Sequence, residues 1–495
     1  MLTLPDELYS AEQTRELDRL VIEQHRIAAG QLMARAGAGA LQALKHFWSE
    51  AKQIVVVSGS GNNGGDGYEL ARQALLDGYR VKLFEVGHID KMSDETRAAR
   101  EALQAVADVI HPFEGSLPAA DVVVDALFGT GLDRAVEGRY ASAIEAINNA
   151  YPAPVLSLDI PSGIHADTGK ALGVAVRASV TLSFIGLNKG LFTGDAPDYC
   201  GQICFDSLQV PSVVYQAVMA DALRIELPQY RELLSPRPRT AHKGLYGHLV
   251  VIGGDNGMPG AARVAAEAGA RVGSGLVSIA THSAHSAILN QARPELMCHG
   301  IEHAEALAPL LDKASILAIG PGLGQSHWSQ TLFARALDAE KPMVVDADAL
   351  NMLSQAPQQC DNWILTPHPG EAARLLSCSS REIQANRFEA VQQLQQRYGG
   401  VIVLKGAGTL IYDGKLPIRL CTAGNPGMAS GGMGDALTGV IGGLLAQRLS
   451  LIDAACLGVL LHAMAADKAA EKEGERGMLA MDLMPHLRHL VNLHY

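Results

Sequence analysis

Short β-branched apolar runs alternate with longer alanine-rich stretches of helical period along most of this chain. Residues 11–49 read as helices. Gln53–Ser58 is then a buried-type strand, a continuous apolar run that ends in glycine. It leads into Gly59-Ser-Gly-Asn-Asn-Gly-Gly-Asp-Gly67 and an alanine-rich helix. Further strands are expected at Val81–Glu85, Val122–Asp125, Val155–Asp159 and Val180–Phe184, and Gly201–Phe205 is strand-like. Strands alternating with helices imply a parallel sheet covered on both faces. Prolines and charges without periodicity then mark a boundary near residue 220, with Arg231–Thr240 as an extended entry segment. A second alternation starts at His248–Gly253. It continues through Leu276–Ala280, Ile316–Ile319, Met343–Asp346, Trp363–Thr366, Val401–Leu404 and Leu410–Tyr412, and closes on an apolar helix over Ala436–Leu445. The expected fold is α/β: two three-layer αβα domains, 1–220 and 221–495, the first with a Rossmann-like parallel sheet.

Size agrees with that division, since 495 residues exceed one ordinary core. The 48% hydrophobic and 19% charged residues are those of a soluble globular protein, and 51 glycines suit many tight βα turns. A net charge of −12 argues against a nucleic-acid surface. No leader is visible and no apolar run reaches the ~18 residues of a membrane span, so no membrane partner is expected. Seven scattered cysteines without a CxxC suit reduced thiols in a cytoplasm. Cys200 and Cys204 could share a helix face, with buried thiols a better reading than a metal site. Glycine- and alanine-rich helices suit tight subunit packing, and a homo-oligomer is expected.

The candidate chemistry sits at strand ends. Gly59, Gly61 and Gly64 satisfy GxGxxG after a strand, and Glu85 lies 21 residues past Gly64, the spacing of a dinucleotide fold with an acidic ribose ligand. Asn62, Asn63 and Asp66 add polar side chains that a plain phosphate loop does not need. Asp125-Ala-Leu-Phe-Gly-Thr-Gly131 and Asp159-Ile-Pro-Ser-Gly163 end other strands and should open onto the same crevice, where their oxygens can bind a hard cation. Turn chemistry is the bland alternative for each one alone. In the second half, prolines on either side stiffen the loop that holds His368. Lys405-Gly-Ala-Gly-Thr409 reads equally as a hairpin turn or a phosphate loop, and it lacks the full GxxxxGK[ST] pattern. Asp346 and Asp348 read either as magnesium ligands or as caps of the next helix. Asn425-Pro-Gly-Met-Ala-Ser-Gly-Gly-Met-Gly-Asp435 is a glycine-rich turn feeding a helix N-terminus, a place receptive to phosphate. A carboxylate there repels phosphate, so Asp435 reads either as a helix cap or as a proton acceptor.

Asn62-Asn-Gly-Gly-Asp66, Asp125–Leu132 and Asp159–Gly163 resemble the NAD(P)H-hydrate epimerase domain. The resemblance implies that Asn63, Asp125 and Ser162 hold potassium. It also implies that Asn62, Asn63, Gly64, Gly65, Asp66, Gly129, Thr130, Gly131, Leu132, Asp133, Arg134, Ala135 and Asp159 line the substrate site. Asp159 is the candidate acid–base residue at carbon 6 of the hydrated nicotinamide ring, and Lys189 a weaker one. Tyr68 and Glu69 depart from the small apolar residues expected of that family.

Residues 225–490 resemble the ribokinase-like NAD(P)H-hydrate dehydratases, most specifically in Thr366-Pro-His-Pro-Gly-Glu371 and Asn425–Asp435. By that likeness Ala261, Gly322, His368 and Asp435 contact the hydrated nucleotide, while Lys405, Gly406, Ala407, Gly408, Thr409 and Gly434 hold the adenine nucleotide. Ala241 and Met433 stand where that family is expected to carry hydroxyl residues. Asp435 becomes the expected base, with helix capping a secondary role. The whole chain resembles the bifunctional bacterial NAD(P)H-hydrate repair enzymes. That implies epimerisation of R and S hydrated NADH and NADPH, and dehydration of the S form with ADP and magnesium. The alternative is an ATP-dependent sugar or vitamin kinase fused to an NAD-binding domain.

Overall fold

In the computed structural model the structure describes residues 4–87, 89–291 and 293–492. The chain divides into two compact units, Met1–Leu223 and Arg224–Tyr495.

The first unit is built on a sheet whose strands are apolar because helices cover both faces. After a short β1 (Glu7–Leu8) come β2 (Gln53–Ser58), β3 (Arg80–Glu85), β4 (Ile110–Pro112), β5 (Val122–Ala126), β6 (Val155–Leu158), β7 (Val180–Phe184) and β8 (Gln202–Asp206). Seven of them form a sheet in the order β4-β3-β2-β5-β6-β7-β8, with all pairs parallel. β1 pairs antiparallel with β9 (Ala222–Arg224), Leu8 opposite Ala222. The order reverses between β2 and β5, and a crevice opens at such a switch point outside the carboxyl ends of the strands. One core lies between the sheet and the helices Ala11–His25, Ala29–Phe47 and Asn62–Leu76, and another lies under the helix Gly138–Asn148. Cys204 lies on β8, not on a helix face shared with Cys200, and both thiols are buried and free.

The second unit contains β10 (His248–Ile252), β11 (Leu276–His282), β12 (Met297–Ile301), β13 (Ile316–Ile319), β14 (Met343–Val345), β15 (Trp363–Leu365), β16 (Val401–Leu404), β17 (Thr409–Tyr412) and β18 (Ile418–Cys421). Their spatial order is β18-β17-β16-β15-β14-β13-β10-β11-β12, parallel from β16 to β12 and antiparallel at β17 and β18. The switch point lies between β10 and β13. The helix Met433–Ala446 packs on Pro259–Arg271 through glycine: a Cβ on Gly439 would overlap the carbonyl oxygen of Ala265, and one on Gly443 would crowd Gly269. The expected extended entry at 231–240 begins instead inside a 3₁₀ helix, Leu227–Leu234, which carries a proline at its start. Among the described residues no helix is long and apolar enough to cross a membrane.

Candidate active sites

In the first unit a cavity of about 1030 Å³ opens at the switch point of the sheet. Asn62, Asn63, Asp66, Gly129–Ala135 and Asp159 all line it. Gly64 and Gly65 do not. They are buried in the first turn of the helix Asn62–Leu76, where a Cβ on Gly64 would overlap the carbonyl oxygen of Gly59. Their part is to let the helix start against the sheet.

Asp159 follows β6 with φ 66°, a left-handed conformation that aspartate tolerates better than most residues. Its Oδ2 accepts the Thr130 N–H at 3.1 Å, and a Cβ on Gly129 would come within 2.7 Å of the same oxygen. Glycine at 129 therefore leaves the carboxylate room to face the cavity. Burial pushes Asp159 up to about 6. Two other half-buried carboxyls line the same cavity. Burial and the charge of Asp159 hold Asp66 well above the carboxylate range and push Asp18 up to about 7. Asp18 comes from the helix Ala11–His25 and was missed in the sequence, where it looks like any polar position of an amphipathic helix.

Below the cavity floor the oxygens converge. Asp125 is fully buried and accepts from Ser157 Oγ at 2.9 Å, Ser162 N at 2.9 Å, Ser162 Oγ at 2.6 Å and Leu127 N at 3.2 Å. Ser162 Oγ also accepts the Phe128 N–H. Asn63 donates through Nδ2 to the carbonyls of Phe128 and Leu158, while its buried Oδ1 has no hydrogen-bond partner among the described residues. An orphaned amide oxygen beside hydroxyl and carboxylate oxygens is a donor set suited to a hard cation.

Other candidates fall elsewhere. Glu85 accepts from Tyr68 Oη at 2.7 Å and pairs with Arg100, so the acid at the ribose-ligand spacing is already engaged. Tyr68 and Glu69 are buried and do not line the cavity. Lys189 is held by Asp221 at 2.8 Å and is likewise absent from the lining.

In the second unit Ala261 and Gly322 meet at the switch point, where a Cβ on Gly322 would be 3.0 Å from that of Ala261. Gly322 has φ 57°, and its carbonyl accepts the Asp255 N–H at 2.7 Å. A polar cluster lies at the ends of β14 and β16. Lys405 Nζ is 2.7 Å from Asp346 Oδ1 and 3.8 Å from Glu371 Oε2, and Thr438 Oγ1 donates to Asp346 Oδ2 at 2.7 Å. Burial works against the Lys405 charge, but Asp346 and Glu371 hold the ammonium above its ordinary range. Asp346 stands at the N-cap of the following helix, but its carboxylate makes no capping hydrogen bond and instead serves Lys405 and Thr438. Asp348 accepts the Gly324 N–H at 2.8 Å.

His368 caps the helix Pro369–Leu376, its Nδ1 accepting the Gly370 N–H at 2.9 Å, while Glu371 accepts the His368 N–H at 2.8 Å. Burial and the charge of Lys405 lower His368, which keeps the ring neutral near pH 7. Lys405–Thr409 is a hairpin turn between β16 and β17, with Leu404 opposite Leu410. Beneath it the buried Arg387 donates to the carbonyls of Leu404, Lys405 and Gly408, which shapes the loop.

Asp435 stands in the first turn of the helix Met433–Ala446. The N-cap is Gly432 at φ 89°, with no side-chain cap, so the capping role expected for Asp435 does not occur. Burial and then the Asp346 carboxylate push Asp435 up to about 6, against the pull of Lys405. Gly434 lies beside that cluster: a Cβ there would be 3.3 Å from Lys405 Nζ. Met433, where a hydroxyl was expected, is buried in the core.

Both units match known protein families. The family model described as NAD(P)H-hydrate dehydratase matches residues 249–488, and the model described as the N-terminus of YjeF-related proteins matches 29–190. The chain is 51% identical to the bifunctional NAD(P)H-hydrate repair enzyme of Coxiella burnetii, covering 98% of this chain and 99% of that one. It is 43% identical to the Escherichia coli enzyme of the same name, over 99% and 95%. A ribokinase-like superfamily protein from Enterococcus faecalis superposes with a TM-score of 0.51 at 27% identity, covering 55% of this chain and 96% of that one. With identity of this order along nearly its whole length, the chain belongs to the family of bifunctional NAD(P)H-hydrate repair enzymes.

Proposed function

We propose that the first unit interconverts the R and S epimers of hydrated NADH and NADPH at carbon 6, and that the second dehydrates the S form at the expense of ADP. The observation that carries the reading is Asp435, a half-buried carboxyl in the first turn of an uncapped helix. That helix end suits phosphate, and a carboxyl lifted towards neutrality beside it suits a base.

A ring hydroxyl is a poor leaving group and its phosphate ester a good one. Asp435 accepts the proton of the carbon-6 hydroxyl as that oxygen attacks the terminal phosphorus of ADP. Backbone N–H groups of Gly431–Gly434 and the Lys405 ammonium stabilise the moving phosphoryl group, whose loose transition state needs positioning and charge. The lone pair of the ring nitrogen then expels phosphate, and the resulting iminium gives up a carbon-5 proton to the departing phosphate, leaving NAD(P)H, AMP and inorganic phosphate. Ala261, Gly322 and His368 position the hydrated ring, and Lys405, Gly406, Ala407, Gly408 and Thr409 the adenine nucleotide. Magnesium would travel with the nucleotide and neutralise phosphate charge. The Asp346–Lys405 pair fixes the ammonium and is not assigned as its ligand.

In the first unit Asp159 is the proton-transfer group, and Asn62, Asp66 and Gly129–Ala135 form the walls that seat the substrate. Asn63 Oδ1, Asp125 and Ser162 fit potassium, which would rigidify the floor and supply positive charge near the substrate. The kinase alternative is not favoured, because the relatives that match the whole chain carry the repair name and Glu85 is engaged by Tyr68 and Arg100.

The test is incubation of the separated R and S epimers of hydrated NADH with the full chain, ADP, magnesium and potassium. Return of the reduced-ring absorbance from both epimers is expected. No return from either epimer, with ADP or ATP, sinks the proposal.

A further inference from the structure

We infer that Asp18 is a second catalytic carboxyl of the epimerisation, acting with Asp159 from a different element of the same cavity. This rests on the epimerase reading of the first unit.

The helix Ala11–His25 buries Leu17, Leu20 and Val21 in the core and turns Thr14, Arg15, Asp18 and Ile22 to the cavity, positions that share one helix face. Asp18 thus reaches the site from the helix that precedes the sheet, whereas Asp159 reaches it from the end of β6. Asp159 is oriented by the Thr130 N–H, but among the described residues nothing donates a hydrogen bond to the Asp18 carboxyl. A helical core position that needed only packing would carry an apolar residue, since a half-buried carboxyl without a donor destabilises the fold. The titratable groups that face Asp18 are Arg15 on its own helix, Asp66 on Asn62–Leu76, Asp159, and Tyr215 on Ser212–Gln216, whose hydroxyl Asp18 helps to push up. Asp159 at about 6 and Asp18 at about 7 titrate as a coupled pair. The Thr130 N–H favours the charge on Asp159, and that charge in turn favours the proton on Asp18, which has no donor among the described residues, so the pair holds a base and an acid in one cavity.

The chemistry needs both. Carbon 6 of the substrate carries a hydroxyl and the ring nitrogen. In one direction the Asp159 carboxylate takes the hydroxyl proton, the carbon–oxygen bond becomes a carbonyl, and the bond from carbon 6 to the ring nitrogen breaks. Its electron pair stays on nitrogen, which takes the Asp18 proton. Rotation about the bond between carbons 5 and 6 presents the other face of the aldehyde. Closure reverses each transfer: nitrogen attacks the carbonyl and returns its proton to Asp18, and the new oxyanion takes one from Asp159. Atoms and protons balance with no oxidant or reductant.

The test follows interconversion of the pure R epimer by chromatographic separation of the epimers, using the full chain with potassium and no ADP. Asp18→Asn should lower kcat by about 10²-fold, the usual worth of a general acid. KM should stay near wild type, and the alkaline limb of the pH profile should vanish because asparagine has no proton to lose. Asp18→Glu should restore much of kcat and the limb. The loss is not one of folding, because removing a repelled carboxyl should leave the melting temperature equal or higher. Wild-type kcat in Asp18→Asn, or a loss confined to KM with both limbs kept, overturns the assignment. A wild-type chain that fails to interconvert the epimers overturns the epimerase reading itself.

Discussion

Replacing Asp435 by asparagine should abolish dehydration while making the second unit more stable. The carboxyl is lifted from its ordinary 3.8 to about 6, first by burial and then by Asp346. The folded state therefore holds the Asp435 proton more tightly than the unfolded state does. Its ionised form destabilises the fold above pH 6, and that stability returns as pH falls from about 6 to about 4. The lift corresponds to at most about 3 kcal/mol withheld from the fold at neutral pH. Asparagine keeps the shape and removes the charge, so part of that energy should reappear as a higher melting temperature. Catalysis moves the other way: losing a general base costs about 10²- to 10⁴-fold. A base at about 6 is ionised in about nine molecules in ten at pH 7 and about one in ten at pH 5, so the wild-type rate should fall roughly tenfold between them. The assay is recovery of the reduced ring from the S epimer with saturating ADP, read as the ratio of wild type to variant at each pH so that titration of the nucleotide cancels. A variant with near wild-type dehydration, or a ratio that does not change with pH, would refute the assignment of the base.

Asp159→Asn should slow recovery of the R epimer by about 10²-fold and leave the S epimer untouched; equal loss with both epimers, followed by the same absorbance, means that labour is not divided between the two units as proposed. Gly439→Ala should cost about 1–3 kcal/mol by overpacking against Ala265, seen by calorimetry as a lower melting temperature of the dehydratase unit, and an unchanged transition contradicts the close helix contact.

The central strands were legible because β-branched runs such as Gln53–Ser58 and Val122–Asp125 are buried on both faces and need no context. β4, β12 and β18 were not legible. β4 and β12 are edge strands with exposed or half-exposed residues, among them Pro112, His299 and Gly300, and β18 is a short hairpin partner. Cavity walls 62–66 and 129–135 announced themselves by glycine and Asx residues at strand ends, where a parallel sheet gathers its loops. From its neighbours alone Asp346 reads either as a magnesium ligand or as a helix cap, because Lys405 lies 59 residues on and meets it only in the fold. Asp18 gave no local signal at all. Its meaning comes from the cavity onto which its helix packs.

The glycine contact between Met433–Ala446 and Pro259–Arg271 has a consequence for donor length. Ala261 stands in the first turn of one helix, Gly434 and Asp435 in the first turn of the other. Any shift that brings the helices closer drives Gly439 into the Ala265 carbonyl. The two helix starts therefore act as the jaws of a fixed gauge, one set for the hydrated ring and one for the phosphates. A donor one phosphate longer reaches the same hydroxyl only by displacing its nucleoside end, never by spreading the jaws.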